Sequence, residues 1–172
     1  MATPTTLPTA FVAGDILTAA NMNLLRGGFR VLQVVSNTPY TTETDNSTVT
    51  YADTGVTATI TPTSNTSKIL VYVVHNSCRK NETSASNSMN MQIHRKIGAG
   101  AFSSVQQIAS QSGATGTAVA LTFCINGVLL DSPATTDAVI YKTMFANNTA
   151  SAVVTVQRNA VPSTIILMEI SA

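Results

Sequence analysis

The side chains able to do acid–base, nucleophilic or metal chemistry are few: two histidines, two cysteines and eight carboxylates. A zinc site takes three or four ligands, and around His75 and His94 no paired HxxxH or CxxC spacing occurs. His75 lies three residues before Cys78, a pair that could act as base and thiol nucleophile. That chemistry also needs an acid or amide to orient the base, and none is placed by spacing. Glycoside hydrolysis needs two carboxylates facing each other across a cleft. Glu43, Asp45, Asp53, Glu82, Asp131, Asp137 and Glu169, with Asp15 near the N-terminus, are the candidates. Most sit among turn-forming residues, where acids are common without any catalytic task. No GxxxxGK(S/T) phosphate loop, GxSxG elbow or GxGxxG turn is present. Gly98-Ala99-Gly100 falls between two strand patterns, the wrong context for a dinucleotide. The chain reads as non-enzymatic, with no catalytic, cofactor or metal residues expected.

The elements that carry these groups are β-strands. The stretch Ala58 to Asn76 is the organising one: a strand ending at Pro62, a polar turn, then the apolar run Ile69-Leu70-Val71-Tyr72-Val73-Val74. Such a run, β-branched and flanked by turn-formers, reads as a buried strand. Further strands are predicted over Phe29–Ser36, Ser47–Ala52, Val56–Thr61, Ser88–Ile97, Phe102–Ser110 and Thr117–Ile125. Val128–Leu130, Asp137–Phe145, Ser151–Gln157 and Thr164–Ile170 follow. Asp53-Thr54-Gly55 reads as a turn, and Asn126-Gly127 is the strongest hairpin signal in the chain. In Ser88–Ile97, Met89, Met91 and Ile93 alternate onto one face, with Asn90, Gln92 and His94 on the other. Ser77 to Asn87 and Gln111 to Gly116 read as polar loops, placing Arg79, Lys80, Glu82, Gln111 and Ser112 in exposed positions. About ten short strands at regular spacing predict an all-β protein, a jelly-roll-like β-sandwich.

Before the strands, residues 1–28 read differently. Met1 to Ala13 is extended, and a short helix through Ala19–Arg26 is stopped by Gly27-Gly28. A helix of two turns needs something to pack on. The division expected is a short N-terminal extended and helical arm, 1–28, and a β-sandwich head, 29–172. Phe11, Ile16, Leu17, Met22 and Leu25 would give the arm an apolar docking surface. The same helix folded back on its own sheet is the competing reading.

Charge sets further bounds. Only 10% of residues are charged and the net charge is +1, so nothing in the balance selects nucleic acid or an anionic membrane. No apolar run is long enough to span a bilayer, and Met1–Ala10 is not a signal peptide. Such a low charge density poorly equips a wholly solvated monomer surface and suggests faces buried between subunits. Two cysteines are too few for a disulfide framework. Free thiols are expected, with Cys124 buried mid-strand and Cys78 at a strand end, and a single bridge between them is the alternative.

Three segments carry a family likeness. Ala10–Asn23 (AFVAGDILTAANMN) resembles the arm at the start of many tailed-bacteriophage virion proteins. Thr57–Val73 and Ser163–Ala172 resemble the β-rich heads of phage fibre and virion-surface proteins. The resemblance implies a virion structural protein made in a host cytoplasm, with a jelly-roll head that trimerises. Its arm would dock on a major capsid protein or a tail component, as a decoration (cement) protein or short head fibre. The alternative it leaves open is a tail-fibre module that binds a host glycan or other receptor. Absent tryptophan and scarce aromatics weigh against a sugar site.

Overall fold

The computed structural model describes residues 30–150 and 152–171. Ten strands follow in order: β1 (Val31–Ser36), β2 (Thr44–Asn46), β3 (Ala52–Ile60), β4 (Lys68–Lys80) and β5 (Met89–Ile97). Then come β6 (Ser103–Ser112), β7 (Leu121–Asp131), β8 (Val139–Asn147), β9 (Val154–Val156) and β10 (Thr164–Ile170). One sheet places β10 and β4 between β1 and β7, with the short β9 and β2 continuing beside the far end of β4. The other runs β3-β8-β5-β6. The predicted arm, with Phe11, Ile16, Leu17, Met22 and Leu25, lies outside the described residues.

Setting aside the two three-residue strands, the pairing has a simple rule. The first long strand pairs with the last (β1 with β10), the second with the seventh (β3 with β8), the third with the sixth (β4 with β7) and the two central ones with each other (β5 with β6). All four pairings are antiparallel. That is one long hairpin rolled into two sheets, the jelly roll.

Alternation builds the core. From β4, Ile69, Val71 and Val73 point inward, and from β10, Ile165 and Leu167; all five are fully buried. They meet Ile60, Ile93, Val139 and Tyr141 of the opposite sheet. A second apolar cluster, with Met89, Met91, Phe145, Val154 and Val156, fills the other half. Each fully buried Ile, Leu or Met contributes roughly 1.5–3 kcal/mol relative to exposure. A polar seam separates the halves. His75 Nε2 lies 2.8 Å from Thr143 Oγ1, which lies 2.6 Å from Thr54 Oγ1. Gln157 Nε2 is 3.2 Å from His75 Nδ1. All four side chains are buried.

Three readings of the sequence are corrected here. Asn126-Gly127 makes no hairpin: β7 runs straight through it, held by an unbroken register with β4 from Ile69↔Asp131 to His75↔Ile125. Gly127 is there for space, since a Cβ would sit 2.6 Å from Ile108 Cγ2. Asp53-Thr54-Gly55 is no turn either, but a bulge inside β3, where the register with β8 shifts between Asp53 and Thr57. Gly55 takes φ +81°, and the Tyr40 ring occupies the place of its missing side chain. The polar loop expected from Ser77 begins only after Lys80, because β4 bulges between His75 and Cys78 and then continues to pair.

Candidate functional site

Among the described residues no catalytic constellation assembles. The Cys78 thiol contacts the His75 carbonyl at 3.8 Å rather than the imidazole. Burial pushes that thiol up to about 12 and the His75 imidazole down to about 4, the reverse of an activated pair. Six carboxylates are each engaged separately. Glu43 accepts from Arg158 and the Asn159 N–H, Asp45 from Thr155, Asp53 from Lys142, and Glu82 from Arg79. Asp131 accepts from Arg95 at 2.8 Å and from the Tyr141 hydroxyl at 2.7 Å, a tie between the two sheets. Burial, then the Asp131 carboxylate, pushes that phenol well above its ordinary range. Glu169 accepts from Gln33 at 2.6 Å and from both the hydroxyl and N–H of Thr63 at 2.7 Å. Burial alone would raise its carboxyl, but these donors outweigh it and hold it near 2. Each contact joins elements of the fold. Among the described residues no group of three or more His, Cys, Asp or Glu could hold a metal ion.

What remains functional is surface, and two surfaces stand out. The first is the end of the sandwich opposite Arg30. β1 enters and β10 leaves at the same end, where Arg30 and Ser171 bond reciprocally. The β3–β4, β5–β6 and β7–β8 connections share that end. The connections after β2, β4, β6 and β8 gather at the other. Expected loop residues come together there, though not as predicted. Glu82 is exposed in the β4–β5 connection, and Gln111 is exposed and Ser112 half-buried at the end of β6. Arg79 is half-buried in β4, and Lys80, expected to be exposed, is completely buried. Strand alternation turns Lys80 inward, and its ammonium reaches under the β6–β7 connection to donate to Thr115 Oγ1 and to Thr117 O at 3.3 Å. Asn87 braces the same end by donating to Asn81 Oδ1 at 2.7 Å and Val153 O at 2.9 Å.

The second surface is the outer face of the β1-β10-β4-β7 sheet. Register aligns Val34, Met168, Leu70 and Leu130 in one row across all four strands. The next row holds Ser36, Ile166, Tyr72 and Val128. Val34 is 57% exposed, Val128 55%, Leu130 54% and, at the edge, Val31 53%. The outer face of the other sheet differs. There Gln92, His94 and Lys96 of β5 lie beside Lys142 of β8, which pairs with Asp53 of β3 at 2.8 Å. The free thiols are also distributed against expectation: Cys78 is buried, and Cys124 is exposed in β7.

The apolar face was missed in the sequence although a signal was present. Ile69–Val74 and Ile165–Met168 are continuous apolar runs, whereas Met89–Ile97 alternates. Continuous runs belong to strands covered on both faces.

Among solved structures, the chain is similar to the infectious bursal disease virus VP2 subviral particle, at 14% identity over 80% of this chain and 39% of that one, with a TM-score of 0.36. It is similar also to the Gx strain of that virus (10% identity, 80% and 37%, TM-score 0.36) and to its Gt strain (15%, 81% and 38%, 0.31). The chain therefore spans under two fifths of the length of these chains. TM-scores below 0.5 carry no weight for role. No protein-family model matches the chain, and no curated protein matches it.

Proposed function

We propose that the chain is a non-enzymatic structural protein of a virion surface. The observation that carries this reading is the rolled-hairpin pairing of its eight long strands. Jelly rolls of this kind serve as viral coat, lectin and cupin domains. A cupin keeps a metal or ligand among its inner side chains, whereas here both halves of the interior are packed with apolar groups. A lectin stacks sugars on exposed aromatics, and this chain has no tryptophan. Fold alone does not fix function, so the finer reading leans on the residues that resemble tailed-phage proteins.

In that reading the protein is a capsid decoration protein or short head fibre, made in the host cytoplasm and assembled as a homotrimer. Residues 1–28 dock on a major capsid protein or tail component through Phe11, Ile16, Leu17, Met22 and Leu25. Since the described chain begins at one end of the sandwich, the loops around Glu82 and Gln111 would face outward. That arrangement also favours the second reading, a host-receptor module on a tail fibre.

Counting copies per virion by quantitative mass spectrometry against the major capsid protein separates the two. Hundreds of copies are expected for a decoration protein, and a few to a few tens would place it on the tail or a unique vertex. Replacing Met22 and Leu25 together by Asp should strip the protein from particles while leaving the head folded. Unchanged occupancy would reject docking through these residues, and absence of the wild-type chain from purified virions would reject the function itself.

A further inference from the structure

We infer that the apolar outer face of the β1-β10-β4-β7 sheet is the contact between copies of this chain. The inference rests on the self-assembling virion protein proposed above and names the surface it would use. Four observations converge on it. The face is apolar in two consecutive rows broken only by Ser36 at the β1 edge, with Val34, Leu130 and Val128 each more than half exposed. The outer face of the partner sheet carries charged and polar groups, among them Lys142, Asp53 and Gln92, so the asymmetry is specific to one side. Its two central strands carry continuous apolar runs, Ile69–Val74 and Ile165–Met168, the pattern of sheets covered twice. Size is the fourth. Four strands at about 4.8 Å and the four residues per strand that two rows take up, at about 3.3 Å each, give a plan area of roughly 250 Å². An apolar centre of that size, with a polar rim, fits within the roughly 800 Å² each partner gives to a standard interface.

The extent of the face also chooses its occupant. The eight-residue helix predicted over Ala19–Arg26 would be about 12 Å long and 10 Å wide, covering only about half of it. Neighbouring copies set about the proposed threefold axis, each presenting the same face to the others, cover it whole. Among the residues of these two rows there is no charged side chain, so nothing on the face selects a charged foreign partner, while apolar surface is complementary to itself.

Sedimentation of the full chain over a wide concentration range tests this directly. The wild type should be multimeric, and Val128→Glu with Leu130→Glu should weaken association at least about tenfold, because both charges would be desolvated at the contact. Gln92→Glu, on the opposite face, should leave association unchanged. Circular dichroism follows folding. Should the charged pair fail to fold, Leu130→Ser with Val128→Ser is the substitute, with the same direction of effect expected. A wild-type chain that stays monomeric overturns the inference and hands the face to residues before Arg30 or to a foreign partner. So does a folded double variant that assembles like wild type. Either result is separable from the virion count: a monomer abundant on virions loses this interface and the trimer but keeps the virion role, and a multimer missing from virions loses only the location.

Discussion

Glu169 and His75 are the residues whose altered acidities make the fold lose stability as pH falls. The Glu169 carboxylate ties Gln33 of β1 and Thr63 of the β3–β4 connection to β10. Its carboxyl sits near 2 when folded and about 4.3 when unfolded. That stabilisation is complete above the unfolded value and disappears as pH falls toward 2. Its position near the rim of the sandwich trims the contribution to on the order of 2 kcal/mol. His75, held near 4 by burial against about 6.5 unfolded, acts one window higher. Between pH 6.5 and 4 the unfolded chain takes up a proton that the folded one refuses, so stability falls by about 3 kcal/mol. Denaturant unfolding at pH 7, 4 and 2.5 should show two successive losses. His75→Gln should flatten the first and Glu169→Gln the second, the latter lowering stability at pH 7 as well. A wild-type curve level from pH 7 to 4 would show that His75 is not buried neutral.

At the scale of elements, Gly127 is the sharpest case. Gly127→Ala should cost about 1–3 kcal/mol by forcing a methyl against Ile108. Ile108→Val should recover part of that cost in a double-mutant cycle. If the glycine served a turn, the two changes would simply add. The strand list was largely legible: Lys68–Val74, Met89–Ile97 and Thr164–Ile170 are where alternation or apolar runs put them. The failures share a cause. Asn126-Gly127 and Asp53-Thr54-Gly55 carry local turn chemistry, but β4 holds the first in unbroken register and β8 resumes pairing after a bulge at the second, so the strand wins in both places. Lys80 was misjudged because its type favours water, while the parity of β4 turns it inward. For the candidate surfaces, polarity located the loops after β4 and β6, but the apolar face required knowing which strands are neighbours. Leu130 and Val34 are far apart in sequence and become one row only through β4 and β10.

Taken whole, the described chain closes on itself without residues 1–28. Arg30 and Ser171 bond to each other at the end of the sandwich, and β1 is fixed to β10 along its length. Deleting Met1 to Gly28 should therefore leave a folded head that no longer binds virions. Circular dichroism and particle-binding assays check the two halves of that expectation. Loss of the β signal on deletion would make those residues part of the core.

The order of pairing also bears on synthesis. β10, made after every other described strand, fits between β1, the first of them, and the central β4. Until it is released, β1 lacks its neighbour, β4 has one bare edge along Lys68–Val74, and the core lacks Ile165 and Leu167. A nascent or truncated chain thus cannot present the completed sheet to another copy. Any contact made through that sheet would draw only on chains in which β10 is in place, a form of proofreading supplied by strand order alone.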